Sequence, residues 1–221
     1  MFLRRLAKTI TISITAIVVV TVVAFPAAIL AQGAPGNEGP NARSGSASGG
    51  VVGVVDSVSA SSFAVSTSAG QKVIIKEAPS TEYRKGTSAT SANAITKGNS
   101  VLVFGIVNGQ IITASQVIVQ NADKGGPATS SAAGVIPFQR GVPSVKKQVG
   151  QIPANYSQGS GKIVSGTEAN KATEAALDNY PGGIVDRVVE LSNDEYEVHN
   201  IGVNWPHHIF VSHDFKVVGA F

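Results

Sequence analysis

The stretch SGTEANKATEAALDNYPGG, residues 165–183, decides the reading of the C-terminal region. Glu168 follows Ser165 at the capping-box spacing, in which serine and glutamate each satisfy an orphan backbone donor at a helix start. Ala169, Ala172, Ala176 and Tyr180 then recur at helical spacing with Leu177 beside them, while Asn170, Lys171, Glu174 and Asp178 take the other side. Tyr180-Pro-Gly-Gly ends the helix, because proline lacks the amide donor and glycine tolerates a left-handed exit.

Downstream the period changes to two. A strand over about 184–191 places Val185, Val189 and Leu191 on one face and Asp186 and Glu190 on the other, with Arg187 as an exception on the apolar side. Ser192-Asn-Asp is turn chemistry. A second strand, 195–201, turns Tyr196 and Val198 inward and Glu197 and His199 outward. A third, 207–212, offers Ile209 and Val211, and a fourth, 215–221, offers Phe215, Val217 and Phe221. The expected unit is one helix covering a four-stranded antiparallel sheet.

The run Ser165-Gly-Thr-Glu-Ala…Ala-Ala-Leu…Tyr180-Pro-Gly-Gly, with Tyr196-Glu-Val-His and Asp214-Phe-Lys-Val-Val-Gly, resembles the PepSY domain, a small secreted bacterial module found beside peptidases and in their propeptides. The resemblance covers about the last quarter of the chain and rests on architectural positions. It implies non-catalytic binding, including restraint of a peptidase. Where relatives carry a polar, glycine-containing hairpin tip, this chain has the bulkier Val203-Asn-Trp-Pro-His-His208.

All four histidines lie in this region. If the second hairpin closes on Val203-Asn204, Val198 faces Ile209 and His199 faces His208, with Glu197 two residues away on the same solvent-facing side. Directly opposed residues have Cβ atoms ~5 Å apart, close enough for two imidazoles to share Zn²⁺ or Cu²⁺. A register shifted by two is equally consistent with the apolar face and separates the pair. The set His199, His208 and Glu197 is thus a weak candidate metal site, since an exposed two-histidine site lacks the third ligand and the second shell that tight sites use.

Working outward, residues 51–121 alternate short β-branched runs with turns. Strands are expected at 51–58, 63–67, 72–76, 101–107 and 111–119, with Asn108-Gly109 as a strong hairpin signal. The pattern Gly53-Val-Val-Asp-Ser-Val-Ser, Tyr83-Arg-Lys-Gly, Ile95-Thr-Lys-Gly-Asn-Ser-Val-Leu-Val-Phe-Gly and Ile111-Ile-Thr-Ala-Ser resembles an uncharacterised family of secreted bacterial domains with an OB-like β-barrel. That resemblance implies a five-stranded barrel and no activity. The fold class is therefore an all-β barrel followed by an α+β unit, two small domains.

Residues 1–31 read as a targeting segment: Arg4, Arg5 and Lys8, then the apolar run 10–25, then Pro26 before Ala-Ala-Ile-Leu-Ala31. Cleavage after Ala31 is favoured over retention as a membrane anchor, and both place the remainder outside the cytoplasm. The leader also accounts for the formal charge of +3, since 14 basic and 14 acidic residues remain without it. Capture of nucleic acid needs a concentrated basic surface, which this balance does not supply. Residues 32–50 read as a disordered tether and 122–161 as a low-complexity linker.

No cysteine occurs, which excludes disulfides, thiolate metal sites, a cysteine nucleophile and a lipoprotein anchor. Ser144 and Lys147 have the spacing of a Ser-x-x-Lys pair but fall in the linker, where no scaffold fixes their geometry. No nucleophile elbow, phosphate loop or His-Glu-x-x-His helix is present. The expectation is an exported, non-catalytic protein with no cofactor. Its PepSY-like region binds a protein partner, with an exported peptidase as the candidate; the alternative is an envelope ligand module in which the barrel takes a glycan or polymer.

Overall fold

The computed structural model describes residues 45–120 and 156–220. The first block holds β1 (Ala47–Val58), β2 (Ser62–Ser66), β3 (Lys72–Lys85), the short β4 (Ser88–Ala89), β5 (Ser100–Asn108) and β6 (Ile111–Val119). Antiparallel pairings join β1 to β2, β2 to β3, β6 to β5 and β5 to β1. A parallel β3–β6 pair completes the ring, so five strands close into a barrel. Its interior is apolar and β-branched: Val51, Val65, Val73, Ile75, Val103 and Ile112 are fully buried.

Two boundaries differ from the sequence reading. β3 runs on to Lys85 rather than ending at Lys76, passing an irregularity between Glu77 and Glu82. Pro79 lies inside that irregularity, where its missing amide removes no ladder bond. The Thr81 hydroxyl crosses to the Ala114 carbonyl at 2.8 Å, and the Tyr83 hydroxyl donates to Glu77 at 2.7 Å, so side chains hold what the ladder does not. β1 begins at Ala47, inside the expected tether, because Ala47 to Gly50 pair with Val107 to Phe104 of β5.

The second block holds β7 (Lys162–Ile163), α1 (Gly166–Asn179), β8 (Ile184–Glu190), β9 (Tyr196–Ile201), β10 (His208–Val211) and β11 (Val217–Ala220). The last four are consecutive neighbours in one sheet, and Ala169, Ala172, Ala176 and Leu177 of α1 are buried on it against Val188, Val198, Ile209 and Val211. Tyr180 ends the helix, its amide bonded to the Ala176 carbonyl at 2.8 Å and its ring edge-on to Trp205.

Three local expectations are corrected here. Ser165 is the N-cap residue but makes no side-chain cap bond, and Gly166 behind it has φ 70 rather than a helical value, so the capping box is not assembled. A register shift between Val185 and Arg187 in β8 brings Val188, rather than Val189, onto the apolar face. The same shift sets Arg187 opposite His199, away from the apolar side. Finally, Phe215 lies in the turn before β11, with φ 59, and stacks on Tyr196 at 5.5 Å instead of serving as a strand residue.

The two blocks share one sheet. β1 pairs with β8 through Gly50 to Val185 and Val51 to Ile184. A Cβ on Gly49 would sit 2.0 Å from the Val185 carbonyl oxygen, and one on Gly50 would sit 2.3 Å from that of Val103, so only glycine permits this approach. Leu102 and Phe104 turn outward from β5 and join the core under α1, while Val101 and Val103 fill the barrel. The apolar run 101–104 is therefore buried on both faces.

Candidate metal centre

β9 and β10 pair in the register closed on Val203-Asn204: His199 faces His208, Val198 faces Ile209 and Tyr196 faces Val211. Alternation then puts Glu197, His199, His208 and Phe210 on the sheet face opposite α1. That face is not solvated as the sequence reading expected. Glu197, His199 and His208 are 5%, 8% and 2% exposed. The cover comes from the end of the expected linker, where the Tyr156 ring packs edge-on against Phe210 at 4.9 Å and its hydroxyl donates to Glu197 at 2.8 Å.

A third imidazole joins the pair. His207 precedes β10, so strand alternation does not bind it, and its ring lies on the same side as those of His199 and His208. One donor nitrogen from each of the three falls within 4.8 Å of the others, and the Nε2 atoms of His199 and His207 are 3.0 Å apart. Tetrahedral zinc with Zn–N of roughly 2.0–2.1 Å needs donors roughly 3.3 Å from one another, which lies between these separations.

Each buried histidine is backed by a carboxylate. His199 Nδ1 is 2.5 Å from Asp186 Oδ1, and His208 Nδ1 is 2.5 Å from Glu197 Oε1. With Nδ1 engaged in this way, coordination falls to Nε2, and the carboxylate fixes both ring orientation and tautomer. Glu197 is thus placed behind His208, and the donors that lie within reach of one another are those of His199, His207 and His208. Burial pushes the Glu197 carboxyl up, but hydrogen bonds from His208 and Tyr156 and the charges of His208 and His199 outweigh it, holding the group below the ordinary carboxylate value. His207 is held below the ordinary imidazole value, first by desolvation and then by His199 and His208 as charged neighbours. A lowered value keeps the imidazole neutral and able to ligate at neutral pH.

Arg187 completes the surroundings. Its Nη2 lies 2.9 Å from His199 Nδ1 and 3.3 Å from His199 Nε2, with Asp186 Oδ2 at 3.7 Å. Of the expected set, the structure brings His199 and His208 together and moves Glu197 behind them. Sequence reasoning missed His207, Asp186, Arg187 and Tyr156. Only His207 had a signal, as one of two adjacent histidines. Ser144 and Lys147 lie outside the described residues, as does the leader, 1–31. Among the described residues no helix is long and apolar enough to cross a membrane.

Comparison of the chain with protein-family models, with curated proteins and with solved structures finds no match.

Proposed function

We propose that this is an exported, non-catalytic protein of the bacterial envelope that binds one divalent transition-metal ion on His199, His207 and His208. The observation that carries the reading is the convergence of three imidazoles within 4.8 Å, two of them backed by carboxylates at 2.5 Å. Imidazole donors without thiolate suit Zn²⁺ and Cu²⁺, and a three-histidine set leaves a coordination position open. Calorimetric titration with Zn²⁺ tests it: the full chain is expected to bind one ion, and His199→Ala to lose the heat. Identical heats for the two would end the idea.

The barrel is read as OB-like, supported by its ring order β1-β2-β3-β6-β5 with the single parallel pair β3–β6. The C-terminal region is read as PepSY-like, supported by one helix on four antiparallel strands. A second function, binding of a protein partner such as an exported peptidase, is favoured by β11. This strand ends the sheet and pairs with no described strand beyond β10, an edge suited to addition of a partner strand. Adding the full chain to the peptidases secreted by the source organism should slow proteolysis; unchanged rates and no complex would remove this reading.

A further inference from the structure

Strand geometry places His199 and His208 but not His207. His207 stands opposite Asn200, just beyond the ladder pair of His199 and His208, and period-two alternation would turn it toward α1. That side is already filled. Asn200 and Trp205 are 1% and 5% exposed, and the Trp205 ring stands edge-on to Tyr180 at the end of the helix.

Asn200 also grips the chain that carries His207. Its backbone amide donates to the His207 carbonyl at 2.8 Å, and its side-chain Nδ2 donates to the Pro206 carbonyl at 3.1 Å. One residue thus fixes the two carbonyls that bracket the His207 Cα. The Asn200 backbone hydrogen-bonds the His207 imidazole as well. Gly183 makes room for this grip, since a Cβ there would lie 1.8 Å from Asn200 Oδ1. Oδ1 itself has no hydrogen-bond partner among the described residues. A buried acceptor left unpaired destabilises, so stability alone does not account for an asparagine at this place. We infer that Asn200 is a positioning residue of the metal site, holding His207 out of the strand pattern and on the ion, as Asp186 and Glu197 orient His199 and His208. This inference rests on the metal reading above.

The test is a double-mutant cycle on the full chain, read by titration with Co²⁺, whose visible absorption reports its coordination, while circular dichroism follows the metal-free fold. Asn200→Ala should weaken Co²⁺ by about tenfold or more, the usual effect of removing a group that orients a ligand. In a His207→Ala background the same change should cost nothing further, because the ligand it positions is gone. Gly183→Ala, which keeps Asn200 but obstructs its amide, should behave likewise. The visible band of Asn200→Ala should also depart from that of the wild type, a readout that stands even if His207→Ala binds too weakly to titrate. Equal losses in both backgrounds, or a wild-type band in Asn200→Ala, overturn the inference and leave the metal reading intact. Failure of both variants to fold without metal overturns it too, since Asn200 would then serve the fold. No cobalt band in the wild type ends both.

Discussion

His207 changes what the histidines around it can do. With His199 and His208 alone, an ion would have two donors; the third makes a tripod. The facing of His199 and His208 was legible because the apolar residues of β9 and β10 allowed few registers, and one of them set the two opposite. His207 was not, because period-two alternation assigns it to the face opposite its neighbour, and the rule lapses outside the ladder. Asp186 and Arg187 were hidden by a bulge, which leaves no mark in residue type. Supporting carboxylates are worth 10–100-fold in metal affinity, so Glu197→Gln should weaken Zn²⁺ by roughly that factor without abolishing it, as competition with a chromophoric chelator would measure. His207→Ala should cost more, since it removes a ligand.

Tyrosines set a separate dependence on pH, Tyr83 and Tyr180 the most, with burial also raising Tyr196. Burial, and then the Glu77 hydrogen bond and charge, push the Tyr83 hydroxyl up to about 12, and burial pushes Tyr180 up further. A phenol whose folded value exceeds its unfolded value near 10 contributes stability that is complete below pH ~10 and is lost as pH rises toward the folded value. Urea midpoints should therefore fall between pH 10 and about 12. The fall should be shallower in a Tyr83→Phe, Tyr180→Phe double variant; an unchanged slope would contradict the assignment.

At the level of elements, the strands and helix were mostly legible because period and turn chemistry agreed. β2, β5, β6 and α1 fall within about a residue of where alternation and the proline–glycine stop put them, while β3 continues past its expected end at Lys76. The start of β1 was not legible, because Ala47 to Gly50 carry no apolar pattern and a glycine-rich run reads as tether. These glycines are there because backbone from β5 and β8 packs against them, a reason invisible until the neighbours are in place. Gly50→Ala should therefore destabilise the fold by roughly 1–3 kcal/mol, through a forced shift of the Val103 backbone, whereas Gly109→Ala meets no atom within 4 Å and is strained only by its positive φ. Urea denaturation of the two variants side by side measures the difference. Equal losses would mean that backbone conformation, rather than packing at β1, sets the cost.

Across the whole molecule, the boundary at residue 121 expected from composition is crossed by structure. β1 belongs to the barrel and also pairs with β8, and Leu102 and Phe104 of β5 lie in the core that α1 closes. Composition could not show this, since residues that fill a second core look the same as residues that fill the first. The consequence is cooperative unfolding of both blocks. Trp205, the single tryptophan, reports the α1 side, and far-ultraviolet circular dichroism is dominated by strands of both blocks. The two probes should give coincident urea transitions, and two separated transitions would mean that the shared strand does not couple them.

The central claim is that three histidines converge on one ion, and X-ray absorption at the zinc edge tests it most directly. For the full chain loaded with one equivalent of Zn²⁺, three imidazole nitrogens are expected at roughly 2.0–2.1 Å with one further oxygen ligand, and two imidazoles in His207→Ala. A wild-type spectrum with fewer than three imidazoles, or one that His207→Ala leaves unchanged, would contradict it.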